Sequence, residues 1–176
     1  MDIFGLSARI QRRKNGTGLL PEEKCRQNYF DLRALFDDVI ENQDRYEMVY
    51  AYATECVPVG GGWNAGQVLV FRSYAMGFDT SGNELVLLRV KADLSGYSGL
   101  CCLQDGEINE AEQRKSSYDD IDVFIQADSL PGRCIELHIP WKINKNTDEE
   151  VMPIEQNEEA EHFLEFFNKQ FCKKSV

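Results

Sequence analysis

Apolar residues recur along the chain with two different spacings, and the change of spacing divides it into elements. Between residues 21 and 42 the spacing is three or four, at Cys25, Tyr29, Leu32, Phe36 and Val39. Positions spaced in this way share one face of a helix. Pro21, Glu22 and Glu23 are typical of a helix start, because proline fits the first turn and carboxylates complement the helix dipole. The pattern predicts an amphipathic helix over residues 21–42.

From Tyr46 the spacing becomes two, which is typical of a strand with two different faces. One set of alternating residues is Tyr46, Met48, Tyr50 and Tyr52, and the other is Val49, Ala51 and Ala53. Two more β-prone runs follow, QVLVFRSYAMGFD and ELVLLRVKAD. The connection TSGN supplies turn residues, so these two runs predict a hairpin.

Two later runs alternate in the same way and predict a second hairpin. They are DIDVFIQA and CIELHIPW, joined by SLPGR. Pro131 and Gly132 stand where a type II turn favours them. The polar segment before this hairpin, residues 94–120, predicts a short strand near residues 100–103. A solvated loop with a helical turn over residues 107–115 is expected to follow it.

The last segment, PIEQNEEAEHFLEFFNKQFCKK, predicts a second amphipathic helix over residues 154–173. Its apolar face consists of Ala160, Phe163, Leu164, Phe167 and Phe171. Acidic residues occupy its first turns and lysines its end, which matches the helix dipole.

Together these elements predict an α+β fold with an N-terminal helix, about five to seven antiparallel strands and a C-terminal helix. A flat sheet of this kind would leave two edges and one apolar face exposed. If the sheet curls into a barrel and the last helix caps its open end, the edges and the apolar face are all covered. We expect Phe163, Phe167 and Phe171 to fill that end.

This order of elements, with EAEHFLEFFNKQF in the terminal helix, resembles the pleckstrin-homology-like superfold, bacterial members included. The resemblance covers residues 46–172 and is one of topology. The tryptophan usual in that helix is absent, and Phe163 or Phe167 takes its place. The first hairpin loop, GGGWNAG, lacks the basic residues that hold phosphoinositides in lipid-binding members. The resemblance therefore implies a scaffold for protein or peptide binding and gives no support to phosphoinositide binding.

Charge narrows the range of partners. The 176 residues include 30 acidic and 19 basic side chains, and the net charge is −11. Such a field repels phosphate backbones, so nucleic-acid binding is disfavoured. The length and the 43% of hydrophobic residues favour one globular domain over residues 21–176.

Residues 1–20 form a basic tail. The stretch MDIFGLSARIQRRKN has three arginines and one lysine against a single aspartate. Its apolar residues would suit a membrane surface or a partner groove through residues 1–15. Docking of the tail on the acidic body of the same chain is the simpler alternative.

The sequence also predicts the compartment of the protein and the state of its cysteines. The chain shows no apolar run of about 18 residues and no secretion signal, which predicts a soluble cytoplasmic protein. The six cysteines are Cys25, Cys56, Cys101, Cys102, Cys134 and Cys172. Their spacing matches neither a zinc site nor a disulfide framework, so free thiols are expected. A vicinal disulfide or a reactive thiol at Cys101 and Cys102 is the alternative.

The glycine-rich loop is the candidate binding site. It contains Gly60, Gly61, Gly62, Trp63 and Asn64. A phosphate-binding P-loop would need a GK[ST] ending that runs into a helix, whereas this loop runs into a strand. It is interpreted as a turn between two strands, or alternatively as a gate that displays Trp63 to a ligand or partner.

Catalytic and metal motifs are weak. Cys134 and His138 share a strand face but stand about 13 Å apart, too far for a dyad. One helical face holds Glu158, His162 and Glu165, yet a di-iron bundle would need a second copy of E-x-x-H. The acidic clusters lack an EF-hand register. No catalytic residue, metal or cofactor is predicted.

Three hypotheses about function remain. The first is a non-enzymatic module in which a sheet edge or an exposed aromatic such as Trp63 docks a partner protein or peptide. The second is an acidic inhibitor or immunity-type protein that binds a basic partner. The third is a small-ligand barrel or enzyme that uses Tyr50, Tyr52 or His138.

Overall fold

Two helices and nine strands make up the described part of the chain, which comprises residues 20–115, 120–145 and 151–172 of a computed structural model. The helices are α1 (Glu22–Val39) and α2 (Asn157–Gln170). The strands are β1 (Glu47–Val59), β2 (Gly66–Asp79), β3 (Glu84–Val90), β4 (Tyr97–Gln104), β5 (Ile108–Lys115), β6 (Ile121–Ala127), β7 (Cys134–Ile139), β8 (Lys142–Ile143) and β9 (Ile154–Glu155). Both helices are shorter than expected, because Ile40 is extended after α1 and β9 precedes α2.

Seven antiparallel strands form one sheet in the described chain, in the order β4-β3-β2-β1-β7-β6-β5. The sheet is strongly curled into a half-barrel with one helix before it and one after it, which confirms the predicted α+β class. Both predicted hairpins are present, as β2–β3 and β6–β7. Asn83 (φ 51°) and Gly132 (φ 72°) adopt the left-handed conformation that their turns require.

The segment after β4 differs from the prediction. We expected a helical turn over residues 107–115, which is wrong, because residues 108–115 form strand β5. This strand pairs along its length with β6. Ile108 and Ala111 contact the apolar core, so pairing and burial override a polar composition that by itself disfavours a strand.

The two faces of the central strands pack on different helices. On β1, Val49, Ala51 and Ala53 contact the core that contains α2, whereas Met48 and Tyr50 contact the core that contains α1. This is the alternation that a period of two predicts. The N-terminal turns of the helices are joined where Arg26 bonds Glu159 through two hydrogen bonds of 2.6 and 2.9 Å.

Helix α2 caps the curled sheet as predicted. Phe163, Phe167 and Phe171 are buried among side chains from strands β1 to β3 and from β6 and β7. Phe166 is also buried, which the sequence analysis missed, and Leu164 is only half-buried. The phenyl rings therefore join the two ends of the half-barrel into one core.

The two halves of the sheet meet at a narrow seam. Strands β1 and β7 share a single residue pair, Tyr52↔His138. The next position of the ladder would place Pro140 opposite Tyr50, but proline has no N–H to donate. The buried carboxamide of Gln156 replaces the missing rung. Its oxygen accepts from Tyr50 N–H (2.7 Å), and its nitrogen donates to the carbonyls of Tyr50 (2.9 Å) and Pro140 (2.7 Å).

A buried carboxylate closes the β2–β3 turn. Asp79 accepts hydrogen bonds from the backbone N–H of Ser81 (2.9 Å), its hydroxyl (2.7 Å) and the Arg45 guanidinium (2.5 Å). Burial alone would raise the pKa of Asp79, but the bonds from Ser81, Arg45 and the Gly82 backbone outweigh it and lower the pKa to about 2.

Replacing Gln156 with leucine should destabilise the fold by about 3 kcal/mol or more, because three buried backbone groups lose their partners. Gln156→Glu should also destabilise at neutral pH, since a carboxylate would face two carbonyl oxygens. That variant should recover relative to wild type on acidification, because a protonated carboxyl regains a donor. Urea denaturation measures both effects, with the exposed Gln27→Met on α1 as control. A Gln156→Leu variant as stable as this control would contradict the assigned role.

Acid should destabilise the fold through Asp79. Its folded pKa lies below the ordinary value of 3.8, so its stabilisation is complete above pH 3.8 and is lost as the pH falls towards 2. The contribution is about 2 kcal/mol. Denaturation of wild type and Asp79→Asn between pH 6 and 2 measures it. The variant should be less stable at pH 6 and should lose less stability on acidification, and equal slopes would contradict the assignment.

Candidate functional site

A two-stranded ribbon projects from the sheet, and we call residues 54–71 the arm. Strands β1 and β2 stay paired to its end at Val59 and Gly66. Strand β3 leaves β2 at Ser73, and β1 meets β7 at Tyr52. Beyond these positions the arm pairs with no third strand of the described chain, so both of its edges are vacant.

Apolar side chains occupy both faces of the arm. One face carries Val57, Val59, Val68 and Val70, and the other carries Leu69 and Phe71. Leu69 is 61% exposed, Val68 47% and Val59 43%. Phe71 packs edge-on against Tyr52 at 6.1 Å. Apolar side chains displayed together in this way are typical of contact surfaces.

The predicted glycine loop forms the tip of the arm. Gly62, Trp63 and Asn64 make one 3-10 turn, and Trp63 is fully exposed. Gly60 (φ 77°) and Gly62 (φ 65°) have positive φ. A Cβ at Gly60 would lie 2.7 Å from the Asn64 carbonyl oxygen, whereas Gly61 has open space around it. The loop is thus a turn that displays Trp63, and its role in binding stays a prediction.

A groove of about 430 Å³ lies between α1 and the β3–β4 turn, and a larger one of about 600 Å³ lies between β5 and the end of α2. The apolar lining of the larger groove includes Ile108, Ala111 and Phe171. Its charged lining is acidic and comprises Asp105, Glu110 and Glu112. The Asn168 amide donates to Gln113 Oε1 at 2.7 Å and links the helix to the strand.

Two histidines contact carboxylates. His138 Nδ1 lies 2.7 Å from Asp122, and its ring packs on Tyr52 at 5.0 Å. His162 Nδ1 lies 3.2 Å from Glu47 on the exposed side of α2. Tyr50, the third residue suggested for an interior site, is buried and bonds Ser73 and the Met152 N–H instead.

None of these contacts joins a histidine to a cysteine or a serine. Cys134 and His138 lie on the same strand β7, as predicted, with three residues between them. Within the described residues no group of three or more His, Cys, Asp and Glu side chains suits a metal ion. Neither helix in that part of the chain combines the length and apolar composition needed to cross a bilayer. The basic residues 1–15 lie outside the described ranges, so their suggested membrane contact stays a prediction.

No family model matches the chain, no curated protein matches it, and no solved structure matches it. Functional inference therefore rests on the geometry of the described residues.

Sequence reasoning missed the groove between β5 and α2 and the vacant edges of the arm. The groove depends on β5, whose polar sequence gave no strand pattern. The length of the arm follows from where β3 and β7 end, and that is set by pairing between distant segments. Pro58 was a usable clue, because proline inside a strand favours an edge position.

Replacing Gly60 with alanine should loosen the arm, because alanine is strained at positive φ and its Cβ would meet the Asn64 oxygen. Gly61→Ala is the matched control, since its φ is extended and the space around it is open. We expect amide exchange at Val59 to accelerate about tenfold in the first variant, the equivalent of about 1.4 kcal/mol, and to stay unchanged in the second. Equal exchange rates in the two variants would contradict the positive φ and the close contact assigned to Gly60.

Proposed function

We propose that the protein is a non-enzymatic interaction module that binds an extended, basic peptide in the groove between β5 and α2. The observation that carries the proposal is a groove of about 600 Å³ that runs beside an edge strand of the sheet. Peptides commonly bind such edges by adding a strand, so backbone hydrogen bonds supply affinity and side-chain pockets supply specificity.

The backbone of β5 offers hydrogen-bonding groups towards the groove. Burial raises the pKa of the Cys172 thiol, and a hydrogen bond from the Gln113 backbone opposes that rise. The Gln113 N–H therefore points away from β6. Peptide groups alternate in direction along a strand, so those of Ala111 point the same way. Ala111 supplies the N–H and C=O with which a peptide strand would pair.

The chemistry of the groove defines the peptide. Ile108, Ala111 and Phe171 supply an apolar floor, while the charged lining residues are all acidic. The overall charge of −11 attracts a cationic ligand and repels an anionic one. A peptide with alternating basic and apolar residues matches both features. The same charges also suit the alternative hypothesis of an acidic inhibitor bound to a basic protein.

The pleckstrin-homology-like resemblance stays part of this proposal. The resemblance is supported by the strongly curled sheet and by the C-terminal helix that packs on it. The two halves of this sheet, β1 to β4 and β5 to β7, are antiparallel meanders. The enzyme hypothesis has less support, because the contacts given above for His138 in the described chain are with Asp122 and Tyr52 and join it to no cysteine or serine. Contact through Trp63 remains a hypothesis for a second surface.

Fluorescence anisotropy with a labelled peptide of alternating lysine and valine tests the proposal. The groove variant is Glu110→Lys with Glu112→Lys, and the control is Glu23→Lys with Glu41→Lys on exposed positions near α1. Both pairs change the net charge equally. We expect binding to weaken about tenfold more in the groove variant, since local charge acts over a few ångströms and distant charge is screened.

A backbone variant separates strand addition from charge attraction. Ala111→Pro removes the N–H that faces the groove and leaves the bonds to β6 intact, because proline is tolerated on that side of an edge strand. Binding should fall in this variant. Equal binding by the groove and control variants, or no binding by wild type, would refute the proposed site.

A further inference from the structure

We propose that the arm binds a second copy of this chain, with the vacant edge of β2 in one copy pairing with the same edge in the other. The two strands would run antiparallel about a two-fold axis at Leu69. The surface is separate from the groove between β5 and α2, so this inference does not depend on the proposed peptide ligand.

The direction of the peptide groups identifies the vacant edge. The Tyr50 N–H and C=O point away from β2, because they bond Gln156. Peptide groups alternate, so the odd residues of β1 bond β2, and their partners on the arm include Val68 and Val70. The remaining arm residues of β2 then point outward. They are Gln67, Leu69 and Phe71, which offer three N–H and three C=O groups to a further strand.

The self-pairing register joins apolar residues on both faces. With Leu69 opposite Leu69 of the second copy, Val68 stands opposite Val70 of that copy, and Val70 opposite its Val68. Such cross-strand pairs of branched residues stabilise a sheet. The product is a four-stranded sheet that carries one continuous face of valines, whereas a two-stranded ribbon alone is marginally stable in water.

Strand β3 ends at the position that this register requires. Its last residue, Val90, pairs with Ser73. In the dimer Arg72 would stand opposite Gly66 of the second copy. Strand β2 of the second copy would therefore pair with β2 directly after the last residue of β3, in the same direction as β3. The tip of the second copy, with its exposed Trp63, then lies beside the end of β3.

Electrostatics favours contact between copies at the arm. Each chain carries a net charge of −11, so most surfaces repel each other. Residues 53–72 contain one acidic and one basic residue, Glu55 and Arg72, which bond each other at 3.2 Å. Residues 53–72, which are the arm and one flanking residue on each side, therefore have no net charge. A surface without net charge gives a basic partner no electrostatic advantage and does not repel a second copy.

The vacant edge of β1 and the edge strand β5 are less suited to this pairing. The outward position of Pro58 on β1 lacks an N–H, which shortens that edge. Strand β5 carries Glu110, Glu112 and Arg114, and charges on an edge oppose pairing between copies. The side chains of Val59, Trp63, Val68 and Leu69 are exposed on the arm and are available for contact between two copies.

Charge variants at the two-fold axis test the proposal. In wild type, analytical ultracentrifugation should show a monomer–dimer equilibrium with a Kd on the order of micromolar. Leu69→Lys and Leu69→Glu should each be monomeric, because identical charges would meet across the axis. Mixing the two variants should restore a dimer that contains one copy of each. Leu100→Lys is the control, since Leu100 is 52% exposed on the uncharged edge strand β4.

Salt and fluorescence provide independent readouts. Screening of the net charge should strengthen wild-type dimerisation as ionic strength rises. Trp141→Phe leaves Trp63 as the single tryptophan of the two in the chain, and its emission should shift to shorter wavelength as the dimer forms. A wild type that stays monomeric, a dimer that survives both Leu69 variants, or a mixture of the two variants that stays monomeric would overturn the proposal.

Discussion

The fold depends on one side-chain amide at the seam of its sheet. Pro140 removes the donor that would continue the ladder between β1 and β7, and Gln156 supplies an acceptor and two donors in its place. Gln156 also precedes α2, and its carbonyl accepts from the Ala160 N–H. The same residue therefore joins the two meanders and fixes where the capping helix begins. A buried amide that satisfies every facing group stabilises one arrangement, because any shift would leave a buried group unpaired.

Both proposed contact surfaces follow from how the strands end around this seam. Because β1 and β7 share one pair, they separate beyond Tyr52 and release the outer part of β1 together with its partner β2 as the arm. On the other side of the sheet, β5 is an edge strand next to α2, and the helix leaves a groove beside it. One surface is apolar and neutral, while the other is apolar at its floor and acidic at its rim. This difference in charge is why we propose different classes of partner for the two surfaces, a second copy for the arm and a basic peptide for the groove.

Local sequence patterns predicted most helices and strands, because the spacing of apolar residues and the residue types of turns can be recognised within short segments. The stripe on α1, the alternation of β1, the turn at Gly132 and the phenyl rings of α2 all belong to this class. The prediction failed for β5, since a polar strand is formed by its partner β6 and by the contact of Ile108 with the core. Gln156 could not be found either, because its role depends on Pro140 and Tyr50, which are far apart in the chain. Of the candidate site, the sequence located the loop that displays Trp63, but the vacant edges and the groove depend on where distant strands stop.

The most direct test of the account is hydrogen exchange at the side-chain amide of Gln156, measured by NMR. If the carboxamide replaces a rung of the ladder, both of its protons are hydrogen-bonded and buried, and they should exchange only when the whole domain unfolds. Their exchange should then match that of the Tyr50 N–H and slow as the protein is stabilised. Exchange as rapid as that of the exposed Gln27 side chain would contradict the claim that this amide holds the two halves of the sheet together.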